Sequence, residues 1–217
     1  MYKAVIFDID GVMLDSEPFF GAGRRELIDR FGLVAPDTGN VNGSGMRAFW
    51  QSVLDNSGRR DAPTADELAR LNFEYCLLRI LSLRVPPADG LIELLEFLRA
   101  RNYLLSVASS SDRFYVDAVL SHLGVDKYFD RTFCGDEVAH AKPFPDLYIA
   151  AAKATGLPLS ECVAIEDSDN GIAAARAAGL DCIGVDCAVP RTQSFSECTV
   201  KVNSLRDIME LIETGRV

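Results

Sequence analysis

The fold of this chain is decided near its start, where residues 4–11 read Ala4-Val5-Ile6-Phe7-Asp8-Ile9-Asp10-Gly11. Four apolar side chains are followed by two aspartates, one isoleucine and a glycine. A short β-branched and aromatic run that stops at a glycine turn is typical of a buried strand. We therefore expect a strand over residues 4–7 that carries Asp8 and Asp10 at its carboxyl end.

The rest of the chain shows two kinds of pattern. Residues 17–83 have helical periodicity, with helices expected at Pro18–Phe31, Met46–Leu54 and Thr64–Leu81. Later, helices alternate with strand-like runs, which are Tyr103–Ala108, Arg131–Cys134, Cys162–Ile165, Cys182–Val185 and Thr199–Val202. Such alternation predicts parallel strands joined by right-handed crossovers. We predict an α/β fold: a Rossmann-like parallel-sheet core of residues 1–16 and 84–217, with an all-α cap domain of residues 17–83 inserted after the first strand.

The composition is that of a soluble globular protein with an acidic surface. The chain has 217 residues, of which 48% are hydrophobic and 25% charged, and 32 acidic against 22 basic residues give a net charge of -10. Nucleic acid and anionic membranes both require a basic face, so the charge argues against them as partners. A small anionic substrate is compatible with it if a bound cation or a local lysine offsets the field.

The cysteines indicate a reducing compartment. None of the six forms a Cys-x-x-Cys pair, and with only two histidines the chain has no zinc-type ligand cluster. The N-terminus lacks the pattern of a signal peptide, and no apolar run approaches the ~20 residues of a membrane span. We expect a cytoplasmic protein that is a monomer or a weak homodimer.

The predicted strands end on residues with reactive side chains. Asp8 and Asp10 follow the first strand, Ser109-Ser110-Ser111 follows the second, Glu166-Asp167 follows a later one, and Lys142 comes shortly after Cys134. Ligands of open parallel sheets bind beyond the carboxyl ends of the strands. The sequence therefore predicts a site of carboxylates, hydroxyls and one ammonium at this edge of the sheet.

Either some of these carboxylates are protonated or a cation lies among them. Two like charges 4 Å apart repel by roughly 4 kcal/mol at an effective dielectric near 20. Mg²⁺ favours oxygen ligands and keeps waters that a phosphate oxygen can replace. Such a site suits phosphoryl transfer to a carboxylate nucleophile, with a second carboxylate as general acid and base.

Four segments at this edge are Phe7–Glu17, Val107–Ser110, Lys142–Asp146 and Ile165–Gly179. In this order they resemble the four motifs of the haloacid dehalogenase superfamily, in its Mg²⁺-dependent phosphatase and β-phosphoglucomutase-like branch with a helical cap. The resemblance spans nearly the whole chain. It implies hydrolysis of a small phosphorylated metabolite, such as a sugar phosphate, through an aspartyl-phosphate intermediate.

The resemblance also implies roles for individual residues. Asp8 becomes the nucleophile and Asp10 the general acid and base. The phosphate is assigned to Ser109, Ser110 and Lys142. The Mg²⁺ ion is assigned to Asp8, Asp10, Asp167 and Glu166, with Glu166 acting directly or through water. Ser111 is expected to cap the next helix through its hydroxyl.

Substrate selection is expected from the cap. We place the substrate-facing loop near Asn42–Arg47, with Arg47 as a substrate contact and Arg24 and Arg25 as further candidates. The mutases carry a cap histidine where this chain has Phe19-Phe20, and Arg47 is displaced by about one position from their cap arginine. We therefore expect Asp10 to lack a hydrogen bond from the hinge side.

Several other activities share this constellation. A 2-haloacid dehalogenase lacks the second aspartate of the first motif, which is Asp10 here, and a phosphonate hydrolase needs a cap lysine, which residues 18–83 do not contain. A β-phosphoglucomutase remains the alternative. A non-catalytic phospho-acceptor of the receiver type uses about 120 residues without a helical insertion, so it fits this chain less well, and a binding protein with a dead site would not keep all four motifs.

Overall fold

The computed structural model describes residues 1–36, 45–59, 61–186 and 193–214. Residues 42–44 of the predicted substrate-facing loop lie outside the described residues, as does Cys187, whereas Arg47 lies within them.

In the described part of the chain, six parallel strands form one sheet. Their order across the sheet is β3-β2-β1-β4-β5-β6. The strands are β1 Ala4–Phe7, β2 Leu104–Ala108, β3 Arg131–Phe133, β4 Cys162–Glu166, β5 Asp181–Val185 and β6 Val200–Val202. The predicted α/β class with a parallel sheet is confirmed, and β1 lies inside the sheet between β2 and β4.

Helices cover both faces of this sheet because strand side chains alternate between the faces. Val5 and Phe7 belong to a large apolar cluster with α4, α5 and α8, whereas Ala4 and Ile6 belong to a second cluster with α6 and α7. All four residues of β1 are buried, as a central strand of a doubly covered sheet requires. These helices are α4 Leu91–Ala100, α5 Arg113–Leu123, α6 Asp146–Thr155, α7 Asp169–Ala177 and α8 Leu205–Thr214.

Among the described residues, three helices lie between β1 and α4. They are α1 Glu17–Phe31, α2 Met46–Ser57 and α3 Ala65–Leu83. Side chains of these helices form a separate apolar cluster around Trp50 and Leu68, whereas Phe20 and Phe73 belong to the large cluster of the core. This cap therefore has its own interior, and its base packs against the sheet domain. No helix among the described residues is both long and apolar enough to cross a membrane.

The start of α3 is fixed by a capping box at an exposed site. Thr64 accepts a hydrogen bond from the Glu67 amide, and the Glu67 carboxylate accepts one from the Thr64 amide. Because Thr64→Ala removes one partner of this pair, we expect the free energy of unfolding in urea to fall by about 1 kcal/mol. Ser82→Ala, near the other end of the same helix, is the control and should change it by less than about 0.5 kcal/mol. Equal losses for the two variants would contradict the assignment.

Candidate active site

The sheet register brings the ends of two neighbouring strands together. Phe7 lies level with Ile165 in the pairing of β1 with β4. The next residues along the chain are Asp8 and Glu166, and the Asp8 amide still donates to the Ile165 carbonyl at 3.0 Å. Both carboxylates are buried at the carboxyl edge of the sheet. The predicted convergence of these two residues is thus what the structure shows.

Lys142 lies between these two carboxylates. Its Nζ atom donates to Asp8 Oδ1 at 2.5 Å and to Glu166 Oε1 at 2.6 Å, and all three side chains are buried. Tyr148 of α6 also donates to Glu166 Oε1, at 2.7 Å, and the Lys142 ammonium lies 5.1 Å from the centre of the Tyr148 ring. Tyr148 was not predicted as a site residue, although a tyrosine on the buried face of a helix needs a partner for its hydroxyl.

A third carboxylate joins the pair. Ligand oxygens of Asp8, Glu166 and Asp167 lie within 4.8 Å of one another. Burial raises the pKa of Asp8 to about 7, with Glu166 and Asp10 adding to the rise and Lys142 opposing it. Burial alone would lower the pKa of Lys142, but Asp8 and Glu166 outweigh it and raise that pKa above its usual value. One ammonium among three carboxylates leaves a negative, all-oxygen donor set, which fits a hard divalent cation such as Mg²⁺.

The carboxylate of Asp10 is held by three hydroxyl groups. Ser16 and Tyr115 donate to Oδ1 at 2.6 and 2.8 Å, and Ser111 donates to Oδ2 at 2.8 Å. The side chain of Asp10 lies outside the cluster of three carboxylates, and its role as a metal ligand stays a prediction. The prediction for Ser111 is wrong: Asp112 occupies the N-cap position of α5, and the Ser111 hydroxyl is engaged by Asp10.

The expected lack of a hinge-side hydrogen bond to Asp10 is wrong as well. Ser16 is the last residue before α1, so its hydroxyl supplies that bond from the junction of core and cap. Tyr115 extends the network, because its hydroxyl lies 3.7 Å from Sγ of Cys76, a buried residue of cap helix α3. This serine lies a few residues before Phe19-Phe20, the position of the mutase histidine.

The loop after β2 is tightly built around Ser109. This residue is buried, its hydroxyl accepts a hydrogen bond from the Ser111 amide at 3.1 Å, and its own amide donates to the Phe133 carbonyl at 3.0 Å. Ser110 is half-buried, and its carbonyl oxygen would lie 2.2 Å from a Cβ atom on Gly135. Only glycine at position 135 allows this close approach.

The first turn of α7 also makes a close contact that depends on a glycine, in this case with the carboxylate of Glu166. Ser168 caps the helix by accepting from the Gly171 amide at 3.1 Å, and it donates to Glu166 Oε2 at 3.2 Å. A Cβ atom on Gly171 would lie 1.9 Å from Glu166 Oε1. The first turn of the helix can therefore lie against the carboxylate only because residue 171 has no side chain.

The guanidinium group of Arg47 is paired with carboxylates of the protein in this structure. Its Nε atom donates to Asp66 of the cap at 2.7 Å, and its Nη2 atom donates to Asp112 of the core at 3.2 Å. These donors of Arg47 are therefore engaged by protein carboxylates, and its role as a substrate contact stays a prediction. Arg24 contacts the cap instead, with its guanidinium 5.0 Å from the centre of the Phe49 ring.

Comparison with known proteins assigns the family. The model of the haloacid dehalogenase-like hydrolases matches residues 2–179. The chain belongs to this family. It is 34% identical over 186 residues to fructose-1-phosphate phosphatase YqaB of Escherichia coli K12, a match that covers 85% of this chain and 96% of the relative.

Solved structures of other family members share the fold of this haloacid dehalogenase-like chain. CbbY from Rhodobacter sphaeroides in complex with phosphate has a TM-score of 0.81 at 23% identity over 96% of each chain. A β-phosphoglucomutase from Clostridium difficile also has a TM-score of 0.81, at 22% identity, over 99% of this chain and 96% of that one. At such identities the likeness is one of fold.

Because Gly171 lies so close to Glu166, a side chain at position 171 should lower the stability of the protein. In Gly171→Ala the new methyl group would overlap the Glu166 carboxylate, so α7 or the acidic pair must shift. We expect the free energy of unfolding in urea to fall by about 2 kcal/mol. Gly21→Ala is the matched control: it lies within α1, its Cβ would meet only Arg25 at 3.6 Å, and it should stabilise the chain by about 0.5–1 kcal/mol. A Gly171→Ala chain as stable as the wild type would refute the packing described.

Proposed function

We propose that the protein is a Mg²⁺-dependent phosphatase that hydrolyses a small phosphorylated metabolite, such as a sugar phosphate, through an aspartyl phosphate at Asp8. The observation that carries the proposal is the buried group of Asp8, Lys142, Glu166 and Asp167 at the carboxyl edge of the sheet. A relative named as a fructose-1-phosphate phosphatase supports the substrate class.

In the first half of the reaction, Asp8 acts as the nucleophile. One of its carboxylate oxygens forms a bond to phosphorus, and the bond from phosphorus to the leaving oxygen breaks. Lys142, which already holds Asp8 Oδ1, fixes the orientation of the nucleophile and offers an ammonium to the phosphoryl oxygens. Ser109 binds another phosphoryl oxygen from the start of the neighbouring loop. A Mg²⁺ ion held by Asp8, Glu166 and Asp167 would supply positive charge to the phosphoryl group.

Asp10 is assigned the proton transfers. It gives a proton to the leaving oxygen, and it later takes one from the water that attacks the aspartyl phosphate. The hydroxyls of Ser16, Ser111 and Tyr115 position its carboxylate. Because Ser16 lies at the cap junction, movement of the cap can change the position of this acid and base.

The proposal also includes the cellular compartment, the oligomeric state and the partners of the enzyme. We place it in the cytoplasm as a monomer or a weak homodimer acting on a small phosphorylated molecule, without nucleic-acid or membrane partners. The reduced state of the cysteines supports a reducing compartment, since all those within the described residues are free: Cys76, Cys134, Cys162, Cys182 and Cys198.

Replacing the nucleophile tests this function most simply. Asp8→Asn keeps the size of the side chain but removes the attacking oxygen. With p-nitrophenyl phosphate and sugar phosphates in Mg²⁺ buffer, we expect release of inorganic phosphate to fall on the order of 10⁴-fold. Asp29→Asn, on the exposed face of α1, is the control and should keep full activity. Wild-type turnover by the Asp8→Asn chain would rule out the nucleophile assignment.

A sugar phosphate mutase is the second candidate. The bond from Ser16 to Asp10 favours it, because coupling of the acid and base to the cap junction suits an enzyme that must exclude water. Arg47 is already paired with Asp112 and Asp66. This pairing argues for the phosphatase, because a mutase must also anchor a second phosphate.

The two activities differ in their products. With β-glucose 1-phosphate and a trace of glucose 1,6-bisphosphate, we expect inorganic phosphate to form faster than glucose 6-phosphate. The measurement is coupled detection of both products in the same reaction, with the Asp8→Asn chain as the blank. Glucose 6-phosphate forming faster over many turnovers would identify a mutase instead.

A further inference from the structure

We propose that Asp112 is a specificity-determining residue, which removes Arg47 from the substrate and so selects phosphate monoesters whose far end is uncharged over those with a second anionic group. The inference rests on the proposed phosphatase function and concerns the part of the substrate that does not react.

Asp112 lies beside the proposed phosphate site. It directly follows the serines at the end of β2, it is buried, and its neighbour Ser111 donates to Asp10 at 2.8 Å. The loop of Lys142 faces the cap as well, because a Cβ atom on Gly45 would lie 3.4 Å from that of Ala141. The segment Gly45–Arg47 therefore spans the two loops that carry Ser109 and Lys142.

Arg47 makes its contact with Asp112 through both ends of its guanidinium group. Nη1 lies 3.1 Å from Asp112 Oδ1 and Nη2 lies 3.2 Å from Oδ2. Nε is taken by Asp66 at 2.7 Å, so both partners of the guanidinium are carboxylates. Nη2 and Nε, two of the donors that would otherwise recognise a phosphate, are thus hydrogen-bonded to carboxylates of the protein.

The surroundings of this ion pair are acidic. Burial raises the pKa of Asp112 and Arg47 opposes the rise, while Asp136 and Asp66 add to it. Two carboxylates thus contact the guanidinium, and a third, that of Asp136, lies near Asp112. A second phosphate at this point would meet net negative charge, which disfavours it, while an uncharged hydroxylated end would not be repelled.

Two other arginines, one in the cap and one in the core, have partners of their own. Arg24 contacts the ring of Phe49, which lies two residues after Arg47 in α2 and therefore on a nearly opposite face of that helix. Arg113, which follows Asp112, donates to Glu137 and Asp117.

The test compares two ligands that differ only by one phosphate. Fructose 1-phosphate and fructose 1,6-bisphosphate are titrated by calorimetry in Mg²⁺ buffer, with every variant made in the Asp8→Asn chain so that no ligand is consumed. Asp112→Asn keeps the size of the residue and removes its negative charge, so that the Nη atoms of Arg47 lose their carboxylate partner while Nε keeps Asp66. We expect it to tighten binding of the bisphosphate relative to the monophosphate by about tenfold or more.

Two further variants make the result specific. Asp66→Asn removes the other partner of Arg47, on the cap surface, and should change the ratio of the two affinities by less than about twofold because Asp112 still holds the guanidinium. In the double variant Arg47→Ala and Asp112→Asn, the gain should disappear.

An unchanged ratio in Asp112→Asn, or a gain that survives loss of Arg47, would overturn the proposal. Failure of the phosphatase function is a separate result, since it would appear as the absence of phosphate release by chains that keep Asp8.

Discussion

The ammonium of Lys142, enclosed between Asp8 and Glu166, is the contact on which the site depends. The sheet forces buried carboxylates together at the ends of β1 and β4, and each burial without a counter-charge would cost several kcal/mol. Lys142 offsets part of this charge and leaves a net negative group that can hold a divalent cation. Burial raises the pKa of Asp8 to about 7, with Glu166 and Asp10 adding to the rise and Lys142 opposing it.

Close backbone contacts hold this arrangement in place. Gly171 lets the first turn of α7 lie against Glu166, and Gly135 lets the loop after β3 lie against the Ser110 carbonyl. Tyr148 supports Glu166 from the buried face of α6. On the cap side, Asp10 is tied to Ser16 at the hinge and, through Tyr115, approaches Cys76 of α3. Asp10 is thus linked to the cap, whereas Asp8 is linked to the sheet.

Much of this could be predicted from the chain because it depends on local pattern. An apolar run of four residues ending in aspartate fixed both β1 and the position of Asp8, and the helix–strand alternation indicated the parallel sheet. The errors concern side chains whose partners are distant in sequence. Ser111 could equally cap a helix or donate to Asp10, and only the fold decides between them. Arg47 looked available until the structure brought Asp112 to it, 65 residues further along the chain. The only sign of Tyr148 in the sequence is general: a tyrosine on the buried face of a helix needs an acceptor for its hydroxyl group.

The central claim, that crowded carboxylates beside Lys142 require a divalent cation, is tested most directly by thermal unfolding of the wild type and Asp167→Asn with Mg²⁺ and with excess chelator. We expect Mg²⁺ to raise the melting temperature of the wild type and to have little effect on that of the variant. In chelator we expect Asp167→Asn to melt above the wild type, because one buried negative charge has been removed. Equal shifts with Mg²⁺ in the two chains, together with a variant that melts lower in chelator, would contradict this claim.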